Sequence, residues 1–379
     1  MRKWVVTFSL IGLPAVFSLS GCASFTPGPC PLSSSCTCGT PVACPVPSNV
    51  FATTNAKEVL LFSVAQNGGL GTPGPLPGPF LPGGIAVSTP NRELFVADHA
   101  QGTLYAFTIA GSGRYSPAPG SPYSLGSSTG FLEGVATTPD GKFVYVIGLG
   151  GGISGFSIAG DGSLTPVPGS PFPVASESVA AVTEVSSKFL FVVNSSSVTA
   201  FTIDSASGAL LAAGPPVALS TLSLAGIQMA ATTPTGNFLY IGLNSTNHVD
   251  AFSFDAVSGV LTAVSGSPFL VSTGAAALTA TGSTLYVLDN VNGMVSAFAW
   301  DKNTGALSEI SGSPFSAPFG AGLATLHGQY LYVTSVNNVL LPFVNEILGY
   351  SISSSGALTP LNGSPYQVGT QLWGGVAAN

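Results

Sequence analysis

Two glutamates and one histidine stand out as groups able to move a proton. Glu133 and Glu177 each lie just ahead of a run of small residues, and His99 follows Asp98 at the end of an apolar run. A carboxylate so placed can act as general base on water, with His99 as its partner. Hydrolysis would also need a cation or a set of donors for the oxyanion that forms. Beyond the first three residues the cations are Lys57, Arg92, Arg114, Lys142, Lys188 and Lys302, most of them at turns or strand starts. That inventory argues against a phosphorylated substrate. Trp373 also precedes a run of small residues and offers a flat apolar face for a sugar ring or another flat ligand. Asn194, Asn244, Asp289, Asn290 and Asn337 close later apolar runs as Asp98 and His99 close the first. No His, Cys or carboxylate spacing matches a metal site, and no cofactor is expected. The glycine run 148–152 is not a phosphate loop, because no helix and no Lys-Ser or Lys-Thr follows it.

These residues acquire positions from a repeat. Seven alternating runs each end in an aromatic, at Phe62, Phe107, Phe156, Phe201, Phe252, Phe298 and Tyr350, spaced 45 to 52 residues apart. The clearest unit begins with the small-residue run Gly134–Thr138 and turns at Pro139-Asp140-Gly141, where Pro presets φ and Gly accepts a positive one. Phe143–Val146 is a β-branched and aromatic strand, Ile153–Ile158 a third, and Ser163–Val167 a fourth beyond Asp161-Gly162. The unit ends in Gly169-Ser170-Pro171-Phe172, a tetrapeptide that recurs at 120–123, 266–269, 312–315 and 363–366 and is degraded at 77–80 and 214–217. Four strands per unit, seven times over, predict an all-β, seven-bladed propeller of four-stranded antiparallel blades across residues 49–379. The small-residue strand should be innermost, because blades crowd at the axis. The repeats open on a second strand, Val50–Thr53, and close on a first strand, Gly374–Ala378. The last strand should therefore complete the blade that the first began and leave no open edge.

Strand direction then sorts the candidates by face. The loops after second and fourth strands share one rim, and the Pro-Asp-Gly turns lie opposite. Asp98, His99, Asn194, Asn244, Asp289, Asn290 and Asn337 should ring that rim. Glu133, Glu177 and Trp373, ahead of inner strands, should stand near the channel mouth. His327 aligns with Asp140 as a turn residue, and His248 begins a third strand.

Charged residues are only 6% of the chain, with 8 basic against 15 acidic. This excludes a nucleic-acid groove, which needs clustered Lys and Arg. Met1-Arg2-Lys3 followed by the apolar run 4–19 reads as a secretory signal, too short for a membrane span. Leu19-Ser20-Gly21-Cys22 closes it and resembles the lipobox of bacterial lipoproteins, which implies removal of residues 1–21 and lipidation of Cys22. Residues 22–48 read as a Pro/Ser/Cys-rich tether. An extracytoplasmic site allows Cys30, Cys36, Cys38 and Cys44 to form disulfides, in any of three pairings. The expectation is a monomer held to a bacterial membrane by its lipid alone.

The aromatic strands Phe238–Ile241, Thr284–Val287 and Tyr330–Val333, with the turn segments 204–210, 255–261 and 301–307, resemble the lactonase-type propellers. These are the phosphogluconolactonase-like proteins and their YVTN-repeat relatives, and the resemblance spans residues 49–379. It implies the seven-bladed fold and hydrolysis of a sugar lactone or related ester. Family enzymes tend to carry a His before the Pro-Asp-Gly turn and an acidic, glycine-containing loop after the next strand. Here Glu133 stands near the first and the glycine run 148–152 replaces the second. The residues themselves favour a lipid-anchored binding or scaffold module whose rim takes an envelope protein segment or a neutral glycan. The lactonase reading is the alternative.

Overall fold

A computed structural model describes residues 48–78, 81–90, 92–98, 101–110, 115–125, 132–148, 152–174, 178–220, 228–234, 237–243, 247–271, 274–337 and 344–378. Cys22 and the other four cysteines lie outside these residues, as do His99, Glu177 and Asn244.

Every described element is a β-strand, and the strands form seven separate antiparallel sheets. Blade 1 runs outward through Pro82–Ser88, Glu93–Asp98, Thr103–Ile109 and Tyr115–Pro117. Blade 2 runs through Leu132–Thr137, Phe143–Gly148, Ile153–Ile158 and Leu164–Pro166. Blades 3 to 6 follow, with inner strands Ser178–Thr183, Gln228–Thr232, Ala275–Thr281 and Gly320–Leu326. Blade 7 takes its inner strand, Leu372–Ala378, from the end of the chain and its outer three, Asn49–Thr54, Glu58–Ser63 and Gly74–Pro77, from the start. The expected closure is present, with Phe51 opposite Ala377 and Ala52 opposite Val376. Each inner strand touches the inner strand of the next blade, from blade 1 round to blade 7 and back.

The apolar core is seven wedges, one between each pair of neighbouring blades. Second strands are buried on both sides, which explains their continuous apolar runs: Tyr145 packs toward blade 3, while Val144 and Val146 pack toward blade 1. Four of these tyrosines also bond across a wedge. Tyr145, Tyr240, Tyr286 and Tyr332 donate to the carbonyls of Gly208, Gly305, Gly356 and Gly68 in the third-to-outer turn of the following blade, at 2.7–2.8 Å. Those glycines have φ between 73° and 86°. A Cβ on Gly208 or Gly305 would also stand 2.5 Å from the ring of Phe143 or Phe238. One position thus requires glycine twice, for its conformation and for its contact.

The four-strand expectation needs one addition. In blades 1 and 3 to 6 a two-residue fifth strand pairs back onto the third strand beside the outer one. The Gly-Ser-Pro-aromatic tetrapeptide causes this in four of those blades. Its Ser-Pro bond is cis, and the chain leaves the sheet edge and returns to it. Here and in blade 2 the serine hydroxyl accepts a third-strand N–H: Gly155 donates to Ser170, Ala251 to Ser267 and Gly349 to Ser364, all at 2.9 Å.

Candidate functional site

Ladder directions put the second-to-third loops and the entries to inner strands on one face, here the loop face. The first-to-second and third-to-outer turns lie on the other. At the loop-face end of the inner strand, six of the seven blades break register against the second strand. A bulge of this kind leaves residues unpaired and re-aims them, and it is common beside active sites. In blades 3, 5 and 6 the extra residue is Val179, Ala276 or Ala321. In blade 2, Ile147 pairs Gly134 and Gly148 pairs Leu132, so the extra residue is Glu133. In blade 7, Ala52 pairs Val376 and Thr54 pairs Leu372, so Trp373, Gly374 and Gly375 face Thr53 alone. Blade 1, between them, places Gly83 and Gly84 opposite Ala97.

Glu133 and Trp373 therefore differ from expectation in one respect: both lie within inner strands, in bulges, and not ahead of them. The strands begin earlier because the bulge lets one more residue at each entry rejoin the ladder. Gly84 is what lets blades 1 and 2 approach here. A Cβ on it would meet the backbone of Gly134 and Val135 at 3.0 Å, the segment that directly follows Glu133.

The rim candidates sit at the ends of second strands. Asp98 and Asp289 are fully buried, at equivalent positions opposite Pro82 and Ala275. Asp98 Oδ1 accepts the N–H of Gln101 at 3.0 Å. Asp289 Oδ1 accepts the N–H groups of Val291 and Asn292, both at 2.9 Å, and Oδ2 accepts the Asn292 amide at 2.7 Å. Asn194 Oδ1 accepts the N–H groups of Ser196 and Ser197 at 3.0 and 2.8 Å. All three side chains cap their own loops. Asn290 is exposed at a loop tip, and Asn337 ends the long second strand of blade 6, Tyr330–Asn337. These residues are spread over separate blades.

Two further groups lie on the loop face that the sequence did not assign to it. Lys57 is exposed in the turn between Asn49–Thr54 and Glu58–Ser63. That turn is tied to the Trp373 strand by Asn55, whose N–H donates to Gln371 O at 3.0 Å. The signal was available, since a repeat that opens on a second strand puts its first turn on the loop face. Arg92, Lys142, Lys188 and Lys302 all fall on the opposite face, where Lys142 pairs with Asp140 at 3.3 Å. Tyr105, next to Asp98, is the second. Burial first, then the Asp98 charge, pushes its phenol above the ordinary value and keeps it a neutral donor. Its counterparts in register are Ser154, Thr199, Asp250 and Ser296. Asp250 is itself buried, and it binds Ser220 through that residue's N–H (2.7 Å) and hydroxyl (2.5 Å), fixing the exit of blade 3.

The family described as "Lactonase, 7-bladed beta-propeller" matches residues 57–320, more than half of the sequence. The chain belongs to the lactonase family of seven-bladed propellers. No curated protein matches it. Among solved structures, this lactonase-family chain is similar to a candidate 6-phosphogluconolactonase from Bacteroides uniformis, with TM-score 0.69 and 18% identity over 88% of this chain and 100% of that one. A second candidate 6-phosphogluconolactonase, from Bacteroides fragilis, gives 0.67 and 17% over 90% and 99%. The periplasmic gluconolactonase of Pseudomonas aeruginosa gives 0.64 and 17% over 86% and 97%. At these identities the likeness establishes the fold. The family match carries the rest.

Proposed function

We propose that this propeller hydrolyses an unphosphorylated sugar lactone at the loop-face mouth of its channel. One observation carries the reading beyond family membership: the only acidic residue in an inner-strand bulge among the described residues is Glu133. In this reading Glu133 takes a proton from water as the water oxygen bonds to the lactone carbonyl carbon. The ring C–O bond then breaks, and the ring oxygen leaves as a hydroxyl by taking that proton back, giving the open hydroxy acid. Lys57 is the described cation on this face and the residue available to the developing oxyanion. A single Lys or Arg on this face among the described residues is what disfavours a phosphorylated substrate. The protein would act outside the cytoplasm as a monomer, anchored through Cys22.

The test is turnover of a panel of five- and six-membered sugar lactones by wild type and Glu133→Gln. Loss of a general base should lower kcat about a hundredfold or more. Equal rates would remove Glu133 from the mechanism, and no rate above buffer would remove the hydrolase. The binding-module reading has its own support, because Asp98, Asn194 and Asp289 spend their oxygens on loop caps. A glycan array or pull-down that finds a ligand without turnover would establish that reading instead. Anchoring predicts that Cys22→Ala moves the protein from the membrane to the soluble fraction.

A further inference from the structure

Among the described non-glycine residues with positive φ, Lys57, Arg92, Ser187 and His327 are polar turn residues, and Phe319, at 56°, is the one apolar side chain. A bulky residue in that region is a true outlier. Phe319 lies on the loop face, one residue ahead of the inner strand of blade 6, at the third position of the turn 317–320. Pro318 stands second in that turn, and the Gly320 N–H closes it on Ala317 O at 3.2 Å. A turn with Pro second and a positive φ third normally takes Gly at the third position. At the equivalent place ahead of blade 5's inner strand stands Gly274, with φ 83°. There the blade's own loop takes up the space, since a Cβ on Gly274 would stand 2.8 Å from Val291 and 3.1 Å from Asn290. Blade 6 instead holds a phenyl in that place and leaves it 42% exposed. Two further bonds enforce the conformation. The buried Ser335 hydroxyl donates to Pro318 O at 2.5 Å, and the Val336 N–H donates to Phe319 O at 2.8 Å. Backbone strain persists only where neighbours over-determine it, and it gathers at ligand sites.

We propose that Phe319 is a binding platform for the C–H face of a neutral sugar ring, on the blade 6 side of the loop-face mouth. Pyranose and lactone rings present a face of C–H groups, and an aromatic ring is a rigid, flat apolar partner for it. The blade 5 loop packs against the same turn, where a Cβ on Gly293 would stand 3.0 Å from Pro318 Cα. That loop carries the exposed Asn290, whose amide can donate to and accept from ring hydroxyls. Neither segment, 289–293 or 317–320, contains a Lys or Arg, so the pair suits an uncharged ring and not a phosphorylated one. An apolar peptide would use the bulk of the side chain at 319 and not its flatness, which gives the two ligands different tests. The inference rests on the hydrolase reading for its substrate, but it can be tested apart from it.

The experiment uses the full-length protein, a hexonolactone as substrate and the matching hexonolactam, an amide that resists hydrolysis, as a probe in calorimetry. Phe319→Gly, the variant that the backbone already suits, should weaken lactam binding and raise KM for the lactone. Each effect should be about tenfold, the factor for ~1.4 kcal/mol of lost binding. Phe319→Leu, apolar but not flat, should lose binding similarly, and Phe319→Tyr should keep it. The urea midpoint of Phe319→Gly should lie above that of Phe319→Ala, because only glycine relieves the φ. The reverse order would remove the strain on which the inference stands. Lactam affinity unchanged in Phe319→Gly, or kept in Phe319→Leu, would overturn the platform and leave the hydrolase standing if lactone is still turned over. Phe319-dependent lactam binding without turnover would do the reverse. Neither binding nor turnover in wild type would sink both.

Discussion

From blade 4 to blade 7 each wedge carries the same lock: Tyr240, Tyr286 or Tyr332 donates a buried hydroxyl to a glycine carbonyl of the next blade. From blade 7 to blade 2 the same strand position holds Phe51 and Phe95, and no hydroxyl is present. The blade 3/4 wedge, with Phe191, is of the second kind, and the blade 2/3 wedge, with Tyr145, is of the first. Two of the phenylalanine wedges are joined nearer the axis, as is the tyrosine wedge 2/3, where Thr183 donates to Thr137 O at 2.7 Å. Thr137 donates to Val87 O at 3.2 Å across 1/2, and Thr232 to Thr183 O at 2.9 Å across 3/4. At 7/1 the Phe51 ring meets Tyr115 edge-on, with centroids 5.8 Å apart. One arc is therefore fastened at mid-blade by directional bonds. The other relies on packing and on contacts at the hub or rim. The Glu133 and Trp373 bulges lie on the second arc. Sites that must admit a ligand are drawn from the less stable parts of a fold, which fits this placement.

The largest effect is expected at the glycines. Gly305→Ala should cost about 3 kcal/mol, from a side chain in the left-handed region plus overpacking against the Phe238 ring. Gly162→Ala, in the phenylalanine wedge, meets the Thr108 methyl and disturbs no tyrosine bond. Its Cβ would stand 2.6 Å from that methyl, so it too combines conformation with overpacking. It should cost less than Gly305→Ala only by the ~1 kcal/mol of the tyrosine bond it spares, and equal urea midpoints for the two would refute the distinction. Next in size is the hydroxyl itself. Tyr240→Phe should lose about 1–2 kcal/mol by leaving a buried carbonyl unpaired. Phe191→Tyr, which should restore the bond to the Gly259 turn, should gain up to about 1 kcal/mol. A loss there would mean the two kinds of wedge differ in geometry and not only in one atom.

Two smaller effects follow from protonation. Burial raises the phenols of Tyr145, Tyr240, Tyr286 and Tyr332, that of Tyr286 to about 12. Their stabilisation is complete below the ordinary value near pH 10 and is lost as pH rises toward the folded-state values. The alkaline limb should therefore be shallower in a Tyr240→Phe/Tyr286→Phe variant. On the turn face, hydroxyl and N–H donors from Ser207, Ser258 and Thr304 hold Asp204, Asp255 and Asp301 below the usual carboxylate range. Those contributions are present above about pH 4 and vanish as pH falls through the lowered values. The thermal midpoint of an Asp204→Asn/Asp255→Asn/Asp301→Asn protein should fall less than that of wild type between pH 5 and 2. Parallel curves would show that these caps do not titrate in the transition.

Much of this was readable in order. The count of seven, the innermost small-residue strand and the shared first blade all follow from a repeat whose missing quarter reappears at the far end. The serine of the Gly-Ser-Pro-aromatic tetrapeptide was visible as a recurrence, but its task was not, because the N–H it satisfies lies 15 or 16 residues earlier on another strand. Likewise Asp98, Asn194 and Asp289 read as rim ligands from their type and spacing. Only the loop geometry shows their oxygens turned back onto local N–H groups.

Periodicity, turn chemistry and residue size by themselves determined a closed ring of antiparallel vanes, since each unit exposes apolar faces that only a neighbouring unit can cover. Which of those units hold a bulge at the loop face, and which residue stands in it, is set by strand pairing in the folded chain. A bulge is a difference in length between two paired strands, and no single strand's sequence contains it. Glu133 and Trp373, 240 residues apart in sequence, lie in strands on either side of one glycine pair because the last strand closes the same circle that the first strands open.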